Sequence, residues 1–143
     1  EMQRSLVGSE MCIRDRVCTD GSSLSEKGVT TAVELAKTLG LPLLGMTVVK
    51  GDAPENGLEG EPQEVRDRLQ TIVEEAEAAG IQYRVLAEHA ATPHEGILDV
   101  AMRYDARFIV MASRGLGSLG SLFLGSETQK TLAEADRPVL VIR

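Results

Sequence analysis

Apolar residues along the chain fall into two alternating rhythms. Short runs rich in apolar residues occupy Leu41–Val49, Ile81–Ala87, Arg107–Met111 and Val139–Ile142, and a shorter one starts near Arg16 and continues through Val17-Cys18-Thr19. Between them apolar positions recur at helical spacing. Val29, Ala32, Val33, Ala36 and Leu39 mark one face of a helix over Ser25–Leu39, and Val65, Leu69, Ile72, Val73 and Ala76 mark a second. Ile97, Leu98, Ala101 and Met102 are the predicted inward face of a third, and a fourth spans roughly Glu127–Ala135. The punctuation agrees with this division. Asp20-Gly21-Ser22-Ser23 is a turn signal with Ser23 or Ser25 available as a cap, Gly40 and Gly80 stand as helix stops, Thr92-Pro93 puts proline at a first helical position, and Arg137-Pro138 breaks the last helix.

The resulting order, β-α-β-α-β-α-β-α-β, predicts an α/β fold. Its form is a single-domain, open, doubly wound five-stranded parallel sheet with right-handed crossovers and helices on both faces. Such sheets bind ligands at the carboxyl ends of the strands, where the strand order reverses. If strands 1 and 4 flank that point, Asp20-Gly21-Ser22 faces Ser113–Gly117.

Two stretches break the rhythm. Residues 1–15, EMQRSLVGSEMCIRD, follow neither period and read as a disordered terminus or a foreign segment joined to a domain of residues 16–143. Arg14, Asp15 and Arg16 ahead of Val17 would be costly to bury in a central strand, which favours replacement of the original beginning. Lys50–Glu61 holds glycine, proline and acids, and reads as a surface loop, either a solvated excursion or a lid over a neighbouring site.

The stretch Ala112–Ser126, ASRGLGSLGSLFLGS, carries the strongest functional signal. Gly115, Gly117, Gly120 and Gly125 lie between a buried strand and a fresh helix, with Ser126 as the expected N-cap and Gln129 completing a capping-box pattern. A strand end, a glycine loop and a helix N-terminus together offer several backbone N–H donors to one anion. A connection needing glycine only for its turns is the competing reading, but flexible linkers seldom sit in that position.

Composition narrows the partners. With 15 basic and 22 acidic residues the formal net charge is −7, which repels polyanions, and aromatic residues make up only 3%, so no base-stacking nucleic-acid surface is expected. The absence of a long apolar run and of a signal-peptide pattern predicts neither a membrane association nor export, and hence a cytoplasmic protein. Cys12 and Cys18 lack a second pair for zinc, and His89 and His94 lack partners at ligand spacing, so no metal-ligating residues are predicted.

Other motifs are excluded by context. Gly115-Leu116-Gly117-Ser118-Leu119-Gly120 fits the dinucleotide fingerprint formally, but no acid-ended strand or second mononucleotide half follows it. There is no P-loop, no nucleophile elbow and no acid placed opposite a base, so no catalytic residue is predicted.

Gly115, a nine-residue gap and Gly125-Ser126, with Ser113-Arg114 before and Pro138-Val139-Leu140-Val141 after, resemble the ATP-binding branch of the universal stress protein family. Thr19-Asp20-Gly21-Ser22 matches that family's first-strand signature and Thr92–Leu98 its third-helix entry, so the resemblance covers Val17 to Arg143. The family pattern is G-x-x-G-x9-G-[ST], and Ala112 stands here in place of its first glycine. The resemblance implies an adenine-nucleotide alpha-hydrolase-like fold that binds ATP, with Mg2+ carried on phosphates and waters. It places Asp20 and Thr19 at the adenosine end and Val48 against the base. Ser113, Arg114, Gly115 and Gly117 would lie around the phosphates, with Ala112 at the loop entrance and Gly125, Ser126 and Glu127 offering helix N-terminal amides. For Arg114 a solvated surface position is the equal alternative. A homodimeric stress-response sensor or regulator, paired through residues 139–142, is implied. The alternatives are an adaptor of the same fold that binds no nucleotide, and an enzyme limited to slow ATP hydrolysis.

Overall fold

The computed structural model describes residues 16–20, 26–112 and 125–142. Among them the strands are β1 (Arg16–Asp20), β2 (Leu43–Val49), β3 (Tyr83–His89), β4 (Ala106–Ala112) and β5 (Val139–Ile142). The α-helices are α1 (Glu26–Leu39), α2 (Gln63–Ala79), α3 (Pro93–Arg103) and α4 (Ser126–Glu134). All neighbouring strands pair in parallel in the order β3-β2-β1-β4-β5. The first strand in sequence is therefore central, and the two after it extend the sheet one way while the last two extend it the other. The expected flanking of the reversal point by strands 1 and 4 is observed.

The sheet is sandwiched. On one face Val29, Ala32, Val33 and Ala36 of α1 and Val65, Leu69, Ile72 and Ala76 of α2 close over Leu43 and Val110. On the other, Ile97, Val100 and Ala101 of α3 close over Leu44, Met46, Ile109 and Met111. Strand β2 is buried on both sides from Leu43 to Thr47, which is why its sequence is nearly continuous in apolar residues rather than alternating. Gly45 is required there by space: a Cβ would meet Ile72 Cγ2 at 2.6 Å. Thr30 Oγ1 donates to Glu75 Oε2 at 3.0 Å and ties α1 to α2 on the outside.

Helix stops behave as the sequence predicts, with Gly40 at φ 68° and Gly80 at φ 71° ending α1 and α2 in the left-handed region. Two expected core positions do not hold. Leu39, the last residue of α1, is 45% exposed, and Met102 is 63% exposed because it lies on the flank of the stripe that Ile97, Val100 and Ala101 turn to the sheet. Val100, outside the predicted stripe, takes the core position on α3 instead. The segment 1–15 and the turn Gly21–Ser25 lie outside the described residues.

Candidate functional site

Strand order dictates where a ligand can sit. From the adjacent central strands β1 and β4 the chain departs to opposite faces, toward α1 and α4, leaving a crevice at their carboxyl ends. Register puts Thr19 beside Val110 and Asp20 beside Met46, so Val48 on β2 lies just past the end of β1. Helix α4 returns antiparallel to the strands between β4 and β5, which brings its first residues to that same edge. Of the predicted site residues, Thr19, Asp20, Val48, Ala112, Gly125, Ser126 and Glu127 thus share one edge of the sheet. Ser113, Arg114, Gly115 and Gly117 lie outside the described residues.

Ala112, the departure from the glycine pattern, is 3% exposed. Its methyl abuts Gly28 on α1: a Cβ added at Gly28 would stand 3.4 Å from the Cβ of Ala112. The extra carbon is housed between strand and helix, in space that Gly28 leaves open.

At the start of α4 the expectation of Ser126 as N-cap is corrected. Gly125 occupies the cap in an extended conformation (φ −61°, ψ 154°), Ser126 is the first helical residue, and the cap residue has no side chain to bond across it. The capping box fails for the same reason, since the Gln129 N–H bonds to the Gly125 carbonyl at 3.0 Å as an ordinary helical residue. Glycine is accepted at this position, and it brings no side-chain oxygen of its own to the N–H groups of the first turn.

The Glu127 side chain does not face that anion. Its Oε1 accepts from the His94 backbone N–H at 3.2 Å and from His94 Nδ1–H at 3.2 Å, while Lys130 Nζ lies 3.6 Å from Oε2. Partial burial alone would push this carboxyl up, but the two His94 donors and Lys130 outweigh it and hold it below the usual value. Glu127 therefore stays anionic, and what it can offer a ligand is its amide. His94 is itself buried. Nothing in the sequence couples it to a residue on another helix, because the pairing is made by tertiary packing.

A second acid–histidine pair joins the loop after β2 to the end of β3. Glu61, which closes the loop after β2, is 6% exposed and accepts from His89 Nε2 at 2.5 Å, while His89 Nδ1 faces the Gly51 carbonyl at 3.0 Å. The loop Lys50–Glu61 is accordingly not a solvated excursion throughout: a 3-10 turn at Gly57–Gly60 leads into an anchored carboxylate. Among the described residues no group of three or more His, Cys, Asp or Glu side chains is placed to hold a metal.

Comparison with known proteins agrees with this geometry. The sequence pattern of the Universal stress protein family matches residues 16–143. A Thermus aquaticus universal stress protein encoded 3′ of a QAH/OAS sulfhydrylase is 38% identical over 132 residues, covering 87% of this chain and 93% of its own. The fold is similar to that of a universal stress protein from Archaeoglobus fulgidus in complex with dAMP, with a TM-score of 0.69 at 20% identity over 92% of this chain and 99% of that one. It is also similar to a universal stress protein in complex with cAMP, with a TM-score of 0.70 at 17% identity over 91% of this chain and 97% of that one.

Proposed function

The chain belongs to the universal stress protein family, and from that premise we propose that it binds an adenine nucleotide, ATP above all, as a cytoplasmic stress-response regulator. Asp20 and Thr19 orient the adenosine end and Val48 packs on the base. Ser113, Arg114, Gly115 and Gly117 wrap the phosphates, and the amides of Gly125, Ser126 and Glu127 complete the cradle at the positive end of α4. A divalent ion such as Mg2+ rides on the phosphates and their waters. What carries the reading is the buried methyl of Ala112 against Gly28, since the residue that departs from the glycine pattern is packed between β4 and α1. Two relatives of the same fold described in complex with cAMP and dAMP support the adenine class. Edge strand β5, with Leu140 41% exposed, supports pairing of two copies through residues 139–142.

Mass spectrometry of the small molecule released on denaturing freshly purified protein, with a calorimetric ATP titration, tests the proposal. Co-purified or titratable ATP is expected. A folded protein that releases no nucleotide and gives no heat with ATP is instead a nucleotide-free adaptor. Turnover of radiolabelled ATP that Gly125→Val abolishes would make the protein a slow ATPase, whereas binding without turnover is the expected outcome.

A further inference from the structure

We infer that the first turn of α3 positions both ends of this nucleotide site: Gly96 sets Val48 on the base side, and His94 holds Glu127, and with it the N-terminus of α4, on the phosphate side. The inference rests on the nucleotide reading above and extends it to two positioning residues that themselves touch no ligand.

The base side is a matter of space. Gly96 is buried, and a Cβ there would fall 2.7 Å from Val48 Cγ2, 2.9 Å from Val48 Cγ1 and 3.3 Å from the Cβ of Ala90. Helix α3 thus lies directly on the branched side chain of Val48, whose χ1 is stiff. The helix backbone forms the back wall of whatever Val48 packs against, and a methyl at residue 96 displaces Val48 or the helix.

The phosphate side is a matter of hydrogen bonding. The His94 N–H is one of the donors that the start of α3 leaves without an intrahelical acceptor. It is satisfied by a carboxylate from the other helix, and the imidazole Nδ1–H reinforces the same Glu127 oxygen. The far ring nitrogen, Nε2, stands 3.6 Å from Glu134 Oε2, two turns along α4. A buried ring bonded to the second residue of α4 and lying 3.6 Å from the carboxylate of its last constrains the height and the rotation of that helix. Those two quantities decide where its first N–H groups point. An unordered helix start would have to be ordered by the ligand at a cost in affinity.

The test uses the full chain and the variants His94→Ala, His94→Asn and Gly96→Ala, with hydrogen exchange on ligand-free protein and calorimetric titration with ATP and with adenosine. Asparagine places an amide N–H near the position of Nδ1. His94→Ala is expected to speed exchange across residues 126–129 while β4 stays protected, and to weaken ATP about tenfold with adenosine unchanged, about 1.4 kcal/mol by the standard conversion. His94→Asn is expected to restore most of the ATP affinity, and Gly96→Ala to weaken ATP and adenosine alike. Wild-type binding with an unaltered ATP-to-adenosine ratio in His94→Ala, or unaltered exchange at the start of α4, overturns the inference alone. Should wild-type protein bind neither ligand, the nucleotide reading falls and takes the inference with it.

Discussion

His89 and Glu61 meet at 2.5 Å, Nε2 to Oε1, while the other ring nitrogen of His89 faces the carbonyl of Gly51 at 3.0 Å. A carbonyl and an ionised carboxylate both accept only, so the doubly protonated ring satisfies both partners and the neutral ring only one. Burial alone would lower the histidine's pKa, but the contacts with Glu61 and Gly51 and the charge of Glu88 outweigh it, leaving the value above 6.5. Glu88 is itself engaged by Arg103 at 2.7 Å, so Glu61 is the closer control.

The sign of the pH dependence follows. Because the folded value is raised above the unfolded one, the stabilisation is fully present below about pH 6.5 and is lost as pH rises through the higher folded value. Urea midpoints measured across that window should fall with rising pH in the wild type and change less in Glu61→Gln. Parallel curves would mean that His89 does not titrate between the two states.

Arg137 joins three pieces of backbone. Its Nη1 donates to the carbonyls of Ala101 at 2.8 Å and Ala106 at 2.7 Å, closing the end of α3 against the start of β4 from the segment before β5. Arg137→Ala leaves both acceptors without this partner and should cost about 2–3 kcal/mol in denaturant unfolding. Arg137→Lys should recover only part of this, because an ammonium lacks the planar fork. A loss below about 0.5 kcal/mol would show that water replaces the guanidinium there.

Gly45→Ala should destabilise by about 1–3 kcal/mol, since the new methyl must displace Ile72 and also stands 3.2 Å from Val85 Cγ1. Gly28→Ala should be far milder: its nearest neighbour is at 3.4 Å, and alanine gains helix propensity of about 1 kcal/mol. Thermal melts of the two variants order these effects, and the reverse order would contradict the packing described.

Asp20→Ala should weaken ATP by about tenfold or more, the range of a hydrogen bond to a charged group, without lowering the melting temperature by more than a few degrees. An unchanged titration would remove Asp20 from the site.

If two copies pair through residues 139–142 as proposed, the wild type should sediment as a dimer and Leu140→Lys as a monomer, because it puts a charge on the exposed edge of β5. A variant that sediments as the wild type would exclude that edge as the interface.

The sequence was most informative where one local rule acted alone. Gly40, Gly80 and Pro93 mark their helix ends because positive φ and a missing N–H are local matters. The crevice was legible in outline, since alternating elements imply a parallel sheet and hence a carboxyl edge. The pattern predicts Ser126 as the cap and the chain uses Gly125, because a serine and a glycine compete for adjacent places and side-chain spacing gives no measure of which backbone turns first. The pairs Glu61–His89 and Glu127–His94 were invisible, each joining residues far apart in the chain through contacts that only the packed layers create. Exposed Met102 shows the limit of periodicity, which gives a helix face but not which of its flanks the sheet covers.

The placement of β1 has a consequence for how the protein comes into being. As the chain leaves the ribosome, β1, β2 and β3 can pair in order of synthesis, with α1 and α2 covering one side. One flank of β1 then waits for β4, made only after most of the chain has emerged. The crevice is bounded by those two strands, so it exists only once β4 has joined β1, and a nascent chain holding a ligand there has already set four of its five strands, with β5 alone still to be added.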